Sequence, residues 1–192
     1  MLDTTLNSNV LPKAIEWDGG ELFLLDQTQL PLATVMEKQE TVEQVWESIQ
    51  LLKVRGAPAI GVAGAYGLCV AMKNSTEKPL DEFVREMDRQ AAYLDSSRPT
   101  AVNLGWGLEK IMNVAKTGET VEQIRELVIS TAKKMADEDI EINKSMGKNG
   151  SVLFDDNDTI MTHCNAGALA TVAYGTALGV IRATRESGKN VK

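Results

Sequence analysis

The sequence predicts an α+β fold that is mostly α: a small N-terminal antiparallel β-sheet, a helical bundle, and then the first β-α unit of a parallel α/β domain. Three observations carry this. Two short β-prone runs, Ala14 to Trp17 and Glu21 to Leu25, flank Asp18-Gly19-Gly20, a signal for a tight hairpin turn. Between residues 33 and 147 the apolar residues recur at helical spacing, and twice the pentapeptide Glu-Thr-Val-Glu-Gln opens such a segment. Finally "TIMTHCNAGALATVAYG", Thr159 to Gly175, reads as a short apolar run, a tight turn and a small-residue helix.

Taken in order, the hairpin comes first. Thr41, followed three residues later by Gln44, forms a capping box that starts the helix "VEQVWESIQLL", with Val42, Val45, Trp46 and Ile49 on one face. A second helix follows Pro58, a third covers about Leu80 to Ser96 after the polar connection "KNSTEKP", and a fourth covers Pro99 to Lys116. The second Glu-Thr-Val-Glu-Gln, Glu119 to Gln123, feeds a long helix, which reads as the same capping solution used twice. "GKNGSVLFDDND", Gly147 to Asp158, is expected to break the helix. Its acidic run lacks the glycine and distal glutamate of a calcium loop and reads as a solvated turn. A strand near Thr159 to His163 and a helix from about Ala168 to Glu186, closed by Gly188, complete the chain. The expected division is residues 1–150 for the sheet and bundle and 151–192 for the start of the α/β domain. A β-α unit needs a parallel neighbour, so the chain is expected to be the N-terminal portion of a longer protein that carries the rest of the site.

Composition narrows the partners. Of 192 residues 43% are hydrophobic and 24% charged, enough to bury a sizeable core. A net charge of -7 argues against nucleic acid, whose binders carry a basic face. The longest apolar stretch, Ala57 to Met72, falls short of the ~18 residues of a membrane span and reads as a buried helix, so no membrane partner is expected. Two distant cysteines make no disulfide framework, and the polar start "MLDTTLNSN" is not a leader, so a cytoplasmic location is expected.

Three stretches carry chemistry. In "KVRGAPAIGVAGAYG", Gly56 permits close backbone approach, Pro58 suits a helix start, and the amides beyond it form an anion site to which Arg55 adds a bidentate donor. A plain loop-to-helix junction with a surface arginine is the alternative. Gly61, Gly64 and Gly67 read as a face for close helix packing, and Cys69 as a buried packing residue. "SSRPTAVNLGWG" repeats the design with Arg98, Pro99, Thr100 and Asn103, although Arg98 could equally pair with an acidic residue. In "THCNAG", Cys164 is either a thiol activated at a helix start or a small core residue. His163, the only histidine, is expected by strand alternation to point away from Cys164, which disfavours a Cys–His hydrolase. With one histidine and two distant cysteines no metal site is expected.

Together, "VRGAPAIG", "SRPTAVNL", "THCNAGALAT" and "YGTALGVIRA", in this order and preceded by "AIEWDGG", resemble the methylthioribose-1-phosphate isomerase family of methionine salvage from about Ala14 to Lys192. That family is similar in fold to the regulatory subunits of translation initiation factor 2B and to ribose-1,5-bisphosphate isomerase. The resemblance implies a Rossmann-like second domain, a homodimer, no cofactor and a sugar-phosphate substrate, 5-methylthioribose 1-phosphate. It matches Arg55, Gly56 and Ala57 to the substrate-binding loop, Arg98 to a second arginine contact, and Cys164 to the catalytic cysteine. The family's catalytic aspartate, a glutamine contact and an Asn-Lys pair lie further along than residue 192. The rival from another class is a non-catalytic regulatory subunit, against which the joint presence of Arg55, Arg98 and Cys164 speaks.

Overall fold

A computed structural model describes residues 13–73, 75 and 78–192. The polar start at Met1 to Asn9 and part of the connection "KNSTEKP" lie outside the described residues. The described residues are mostly helical, with six α-helices and one three-stranded antiparallel sheet among them. Strand β1 (Ile15–Asp18) and strand β2 (Glu21–Leu25) form the expected hairpin, Asp18 facing Glu21. Gly19 and Gly20 both have positive φ, +55° and +83°, which a two-residue hairpin turn demands.

The third strand, β3 (Met36–Gln39), was not expected, because Met-Glu-Lys-Gln has little β propensity. It is an edge strand held by its pairing with β2 from Leu22↔Gln39 to Leu25↔Met36, and by two ion pairs, Lys38 with Glu21 at 2.7 Å and Glu37 with Lys53 at 2.8 Å. Charged side chains suit an exposed sheet edge.

Helix α1 (Val42–Gln50) starts with the full capping box, Thr41 accepting from the Gln44 amide and Gln44 reaching back. Helix α2 (Ala57–Ala71) is buried on every side from Ala59 to Val70 and forms the centre of the bundle. Around it stand α3 (Leu80–Asp95), α4 (Val102–Ala115) and α5 (Val121–Ser151), the last capped by Thr120. The α2 glycines set the helix separations. A Cβ on Gly61 would lie 2.8 Å from the Asn103 carbonyl oxygen, one on Gly64 2.5 Å from Leu104, and one on Gly107 of α4 2.5 Å from the Gly61 carbonyl oxygen. Larger residues would drive α2 and α4 apart. Cys69 is buried here, and desolvation pushes its thiol up to about 12.

Two expectations for the C-terminal part need correction. Helix α5 does not break at Gly147 but runs to Ser151, because Gly147 and Gly150 are where α6 (Ala177–Glu186) packs: a Cβ on Gly150 would lie 2.7 Å from Val180, and one on Gly147 2.9 Å from Tyr174. The helix expected from Ala168 is only a 3-10 turn, Ala168–Ala170, and α6 begins at Ala177. The chain between doubles back through Tyr174 and Gly175, both at positive φ, so that Gly175 presses on the Gly167 backbone.

No strand is assigned at Thr159 to His163, yet the first rungs of a parallel ladder exist. Asn157 N–H donates to the Asn190 carbonyl (2.9 Å), Ile160 N–H to the Lys192 carbonyl (2.8 Å), and Lys192 N–H to the Asp158 carbonyl (2.9 Å). Residue 192 thus straddles Thr159 as a parallel partner does, with the residues from α6 as the crossover. The acidic turn before it is occupied with backbone amides: Asp158 accepts from Asp155 N–H and Asp156 from Asn190 N–H.

Candidate functional site

Two helices begin at one cleft. The Gly61–Gly107 contact lays α2 and α4 side by side, which brings Gly56 and Ala101, the residues preceding them, to the same opening; Thr176, preceding α6, borders it too. None of the three residues gives its helix a side-chain cap, whereas Thr41 and Thr120 cap α1 and α5 elsewhere. The starts of α2 and α4, and with them the positive ends of two helix dipoles, therefore border a cavity of ≈ 660 Å³; α6 adds only Thr176, its Leu178 amide being taken by the Ala166 carbonyl (3.2 Å).

The residues matched to a substrate site from the sequence all line this cavity: Arg55, Gly56, Ala57, Arg98 and Cys164, together with Thr100 and Asn103. Arg55 is exposed and Arg98 half-buried, and neither joins an ion pair among the described residues, while Arg85 and Arg89 do. No acidic side chain among the described residues neutralises Arg98. No carboxylate lines the cavity among the described residues. Two guanidinium groups without ion-pair partners among the described residues and the uncapped starts of α2 and α4 make an arrangement suited to an anion such as phosphate.

Cys164 is exposed and sits at φ +64° in the loop. The packed-core reading of this cysteine fails. The expected reason for its position also changes: no helix starts directly after it, and the helix ends facing the cavity are those of α2 and α4. His163 is exposed and does not line the cavity, so strand alternation is not what separates it from the thiol.

Gly56 plays a part different from the one expected. Its φ is +98°, and a Cβ there would lie 2.4 Å from both the Cα and the carbonyl oxygen of Ala170. The close approach it permits is to the Cys164 loop. Two further residues tie that loop down. Gln27 Nε2 donates to the Leu169 carbonyl (2.8 Å) while the Gln27 amide donates to the Lys53 carbonyl (3.0 Å), linking the arginine loop to the cysteine loop. Asp139 of α5 accepts the Val172 N–H at 2.7 Å. Burial raises the Asp139 carboxyl above the usual aspartate range, and the Val172 amide opposes that shift without cancelling it.

Sequence reasoning missed Gln27, Asp139 and Thr176. The first two have no local signature, since a glutamine in a turn and an aspartate in the acidic helix segment "ADEDIE" are ordinary, and Thr176 was hidden by the misplaced helix start.

The scaffold is mostly helical and gathers two arginines, two helix starts and a thiol at one cleft, an arrangement chemically suited to an anion. Residues 53–192 match the model of the initiation factor 2 subunit family, and the chain belongs to that family. It is 45% identical over 180 residues to a putative methylthioribose-1-phosphate isomerase of Archaeoglobus fulgidus, covering 94% of this chain and 53% of the relative. Among solved structures, 5-methylthioribose 1-phosphate isomerase from Pyrococcus horikoshii matches with a TM-score of 0.87 at 37% identity, covering 94% of this chain and 51% of that one. The structure described as translation initiation factor eIF-2B, subunit delta, from A. fulgidus matches with a TM-score of 0.86 at 44% identity, covering 95% and 53%. The chain spans about half the length of the curated relatives it matches.

Proposed function

We propose that this chain is the N-terminal portion of an aldose–ketose isomerase that converts 5-methylthioribose 1-phosphate into 5-methylthioribulose 1-phosphate in methionine salvage. The observation that carries this reading is the single cavity shared by Arg55, Arg98, Cys164 and the starts of α2 and α4. The isomerase names of relatives at about half-chain coverage support it.

The chemistry explains the need for these groups. An aldose whose C1 hydroxyl is esterified to phosphate cannot open to an aldehyde as a free sugar does. The enzyme holds the phosphate, opens the furanose ring, and moves hydrogen between C2 and C1. Arg55, Arg98 and the helix-start amides anchor the phosphate and so fix the ring's position, with Gly56 and Ala57 forming the wall of the binding loop. The Cys164 thiol acts on protons near the ring, working with a carboxylic acid supplied by residues outside this chain. In this reading residues 1–150 form the sheet and bundle, 151–192 begin a Rossmann-like α/β domain, and the whole protein is a cytoplasmic homodimer that uses no cofactor. A non-catalytic regulatory subunit would have no use for an exposed thiol beside an arginine-primed anion site.

The test is an isomerase assay with 5-methylthioribose 1-phosphate on the gene product that carries this chain, comparing wild type, Cys164→Ser and Arg55→Ala. Activity that collapses in Cys164→Ser and needs more substrate in Arg55→Ala supports the isomerase. No turnover by the wild type of this sugar or of ribose 1,5-bisphosphate replaces it with the regulatory-subunit reading.

A further inference from the structure

A second cavity, of ≈ 450 Å³, lies between β1 and α5 with Val172 in its lining. Its rim is charged with both signs: Glu16, Asp18 and Asp137 are negative, Lys13 and Lys133 positive. None of the five joins an ion pair among the described residues, although Lys134 and Lys110, beside them, both pair with Glu138. Lys133 and Asp137 stand four apart on one face of α5, the spacing at which such side chains usually meet. Its floor is apolar, made by Ile15, Ala136, Ile140 and Val172.

Tyr66 supplies an independent observation. It is 3% exposed, its ring is stacked on Trp17 at 5.0 Å between centroids, and its hydroxyl makes no hydrogen bond among the described residues. Tyr66 Oη is not among the sealed polar side-chain atoms that lack a partner, so it opens onto free space. Tyr66 lines the cavity, where burial holds its hydroxyl well above the usual tyrosine range, with smaller contributions in the same direction from Cys69 and then Asp137. The molecule thus keeps a donor-acceptor group, two ammonium groups and three carboxylates around a largely polar hollow whose floor carries Ile15, Ala136, Ile140 and Val172.

We infer that this cavity binds a small zwitterion with an apolar side chain, the chemistry of an apolar α-amino acid. The ligand's carboxylate meets Lys133 and the Tyr66 hydroxyl, its ammonium meets Asp137 and Asp18, and its side chain covers the floor. A purely anionic or purely cationic ligand would leave groups of its own sign facing it. The site is separate from the sugar-phosphate cavity and does not depend on the isomerase reading.

The probes are L-leucine and L-phenylalanine, titrated by calorimetry into the purified gene product that carries this chain and followed by amide NMR shifts. Controls are 4-methylpentanoate and 3-methylbutylamine, which are leucine without its amine and without its carboxylate. Saturable binding of an amino acid is expected, weakened about tenfold, or ~1.4 kcal/mol, in Lys133→Gln and Asp137→Asn, both at exposed positions that leave the fold intact. Tyr66→Phe, which keeps the stack on Trp17, is expected to weaken it as well. Absence of saturable binding by both amino acids overturns the inference. So does equal binding of either control, or affinity that is indifferent to all three substitutions.

Discussion

Gly56 lies so close to Ala170 that a single Cβ on it would stand 2.4 Å from the Ala170 backbone. The contact joins the loop bearing Arg55 to the loop bearing Cys164, residues more than a hundred positions apart in sequence. Gly56→Ala introduces that clash and also strains a backbone held at φ +98°. The expected loss is about 1–3 kcal/mol, read as a lower unfolding midpoint, with weakened sugar-phosphate binding because the two halves of the cleft separate. An unchanged midpoint and affinity would show that the two loops are not held by this contact.

Arg55 and Arg98 face the cavity without ion-pair partners, so replacing them removes no internal bridge. Arg55→Ala and Arg98→Ala are each expected to weaken phosphate-ester binding by about 1.5–3 kcal/mol, roughly tenfold or more, with the thermal midpoint unmoved. Titration calorimetry alongside thermal unfolding separates the two effects.

The two cysteines should react unequally. Cys164 is exposed, while Cys69 is 7% exposed and its thiol is pushed up to about 12 by burial. Alkylation of the native chain with iodoacetamide, read by intact mass and peptide mapping, is expected to place one adduct on Cys164 and none on Cys69 until the chain is unfolded. Inorganic phosphate in the cleft should slow the reaction at Cys164.

Asp139 makes stability depend on pH in a definite direction. Its carboxyl is raised in the folded state, so the proton binds more tightly folded than unfolded. Its contribution is fully present below the ordinary aspartate value of about 4 and is lost as pH rises through the raised folded value. Asp139→Asn, which keeps an oxygen for the Val172 N–H, should therefore gain stability relative to wild type as pH rises through that window, and match it below. Asp139→Ala leaves that amide unpaired and is expected to cost about 1–3 kcal/mol, measured by denaturant titration across pH.

The twin capping threonines are a local test. Thr41→Ala or Thr120→Ala removes one side-chain acceptor from the start of α1 or α5. Each should cost about 1 kcal/mol, lowering the midpoint by roughly 2–4 °C in a domain of this size, with ligand binding unaffected.

Local chemistry was legible in the sequence. The Gly19-Gly20 turn, the Thr41 and Thr120 caps and the amphipathic α1, α3 and α5 depend on residues within a few positions of one another and start where the sequence predicts them, whereas α4 begins at Val102, three residues after the expected start at Pro99. The small-residue face of α2 was legible for the same reason. The motifs of the cleft could be picked out too, because an arginine before a helix start is a local arrangement. Tertiary structure alone decided what those motifs meet. Met36 to Gln39 became a strand only because β2 offers a ladder, and α5 ran past Gly147 because α6 packs into the space its glycines leave. The helix foreseen at Ala168 yielded to a loop whose bonds go to Gln27 and Asp139, far away in sequence. The convergence of two helix starts on one cavity arises from how closely α2 and α4 pack, and that separation is set between elements, where no periodicity within one element records it.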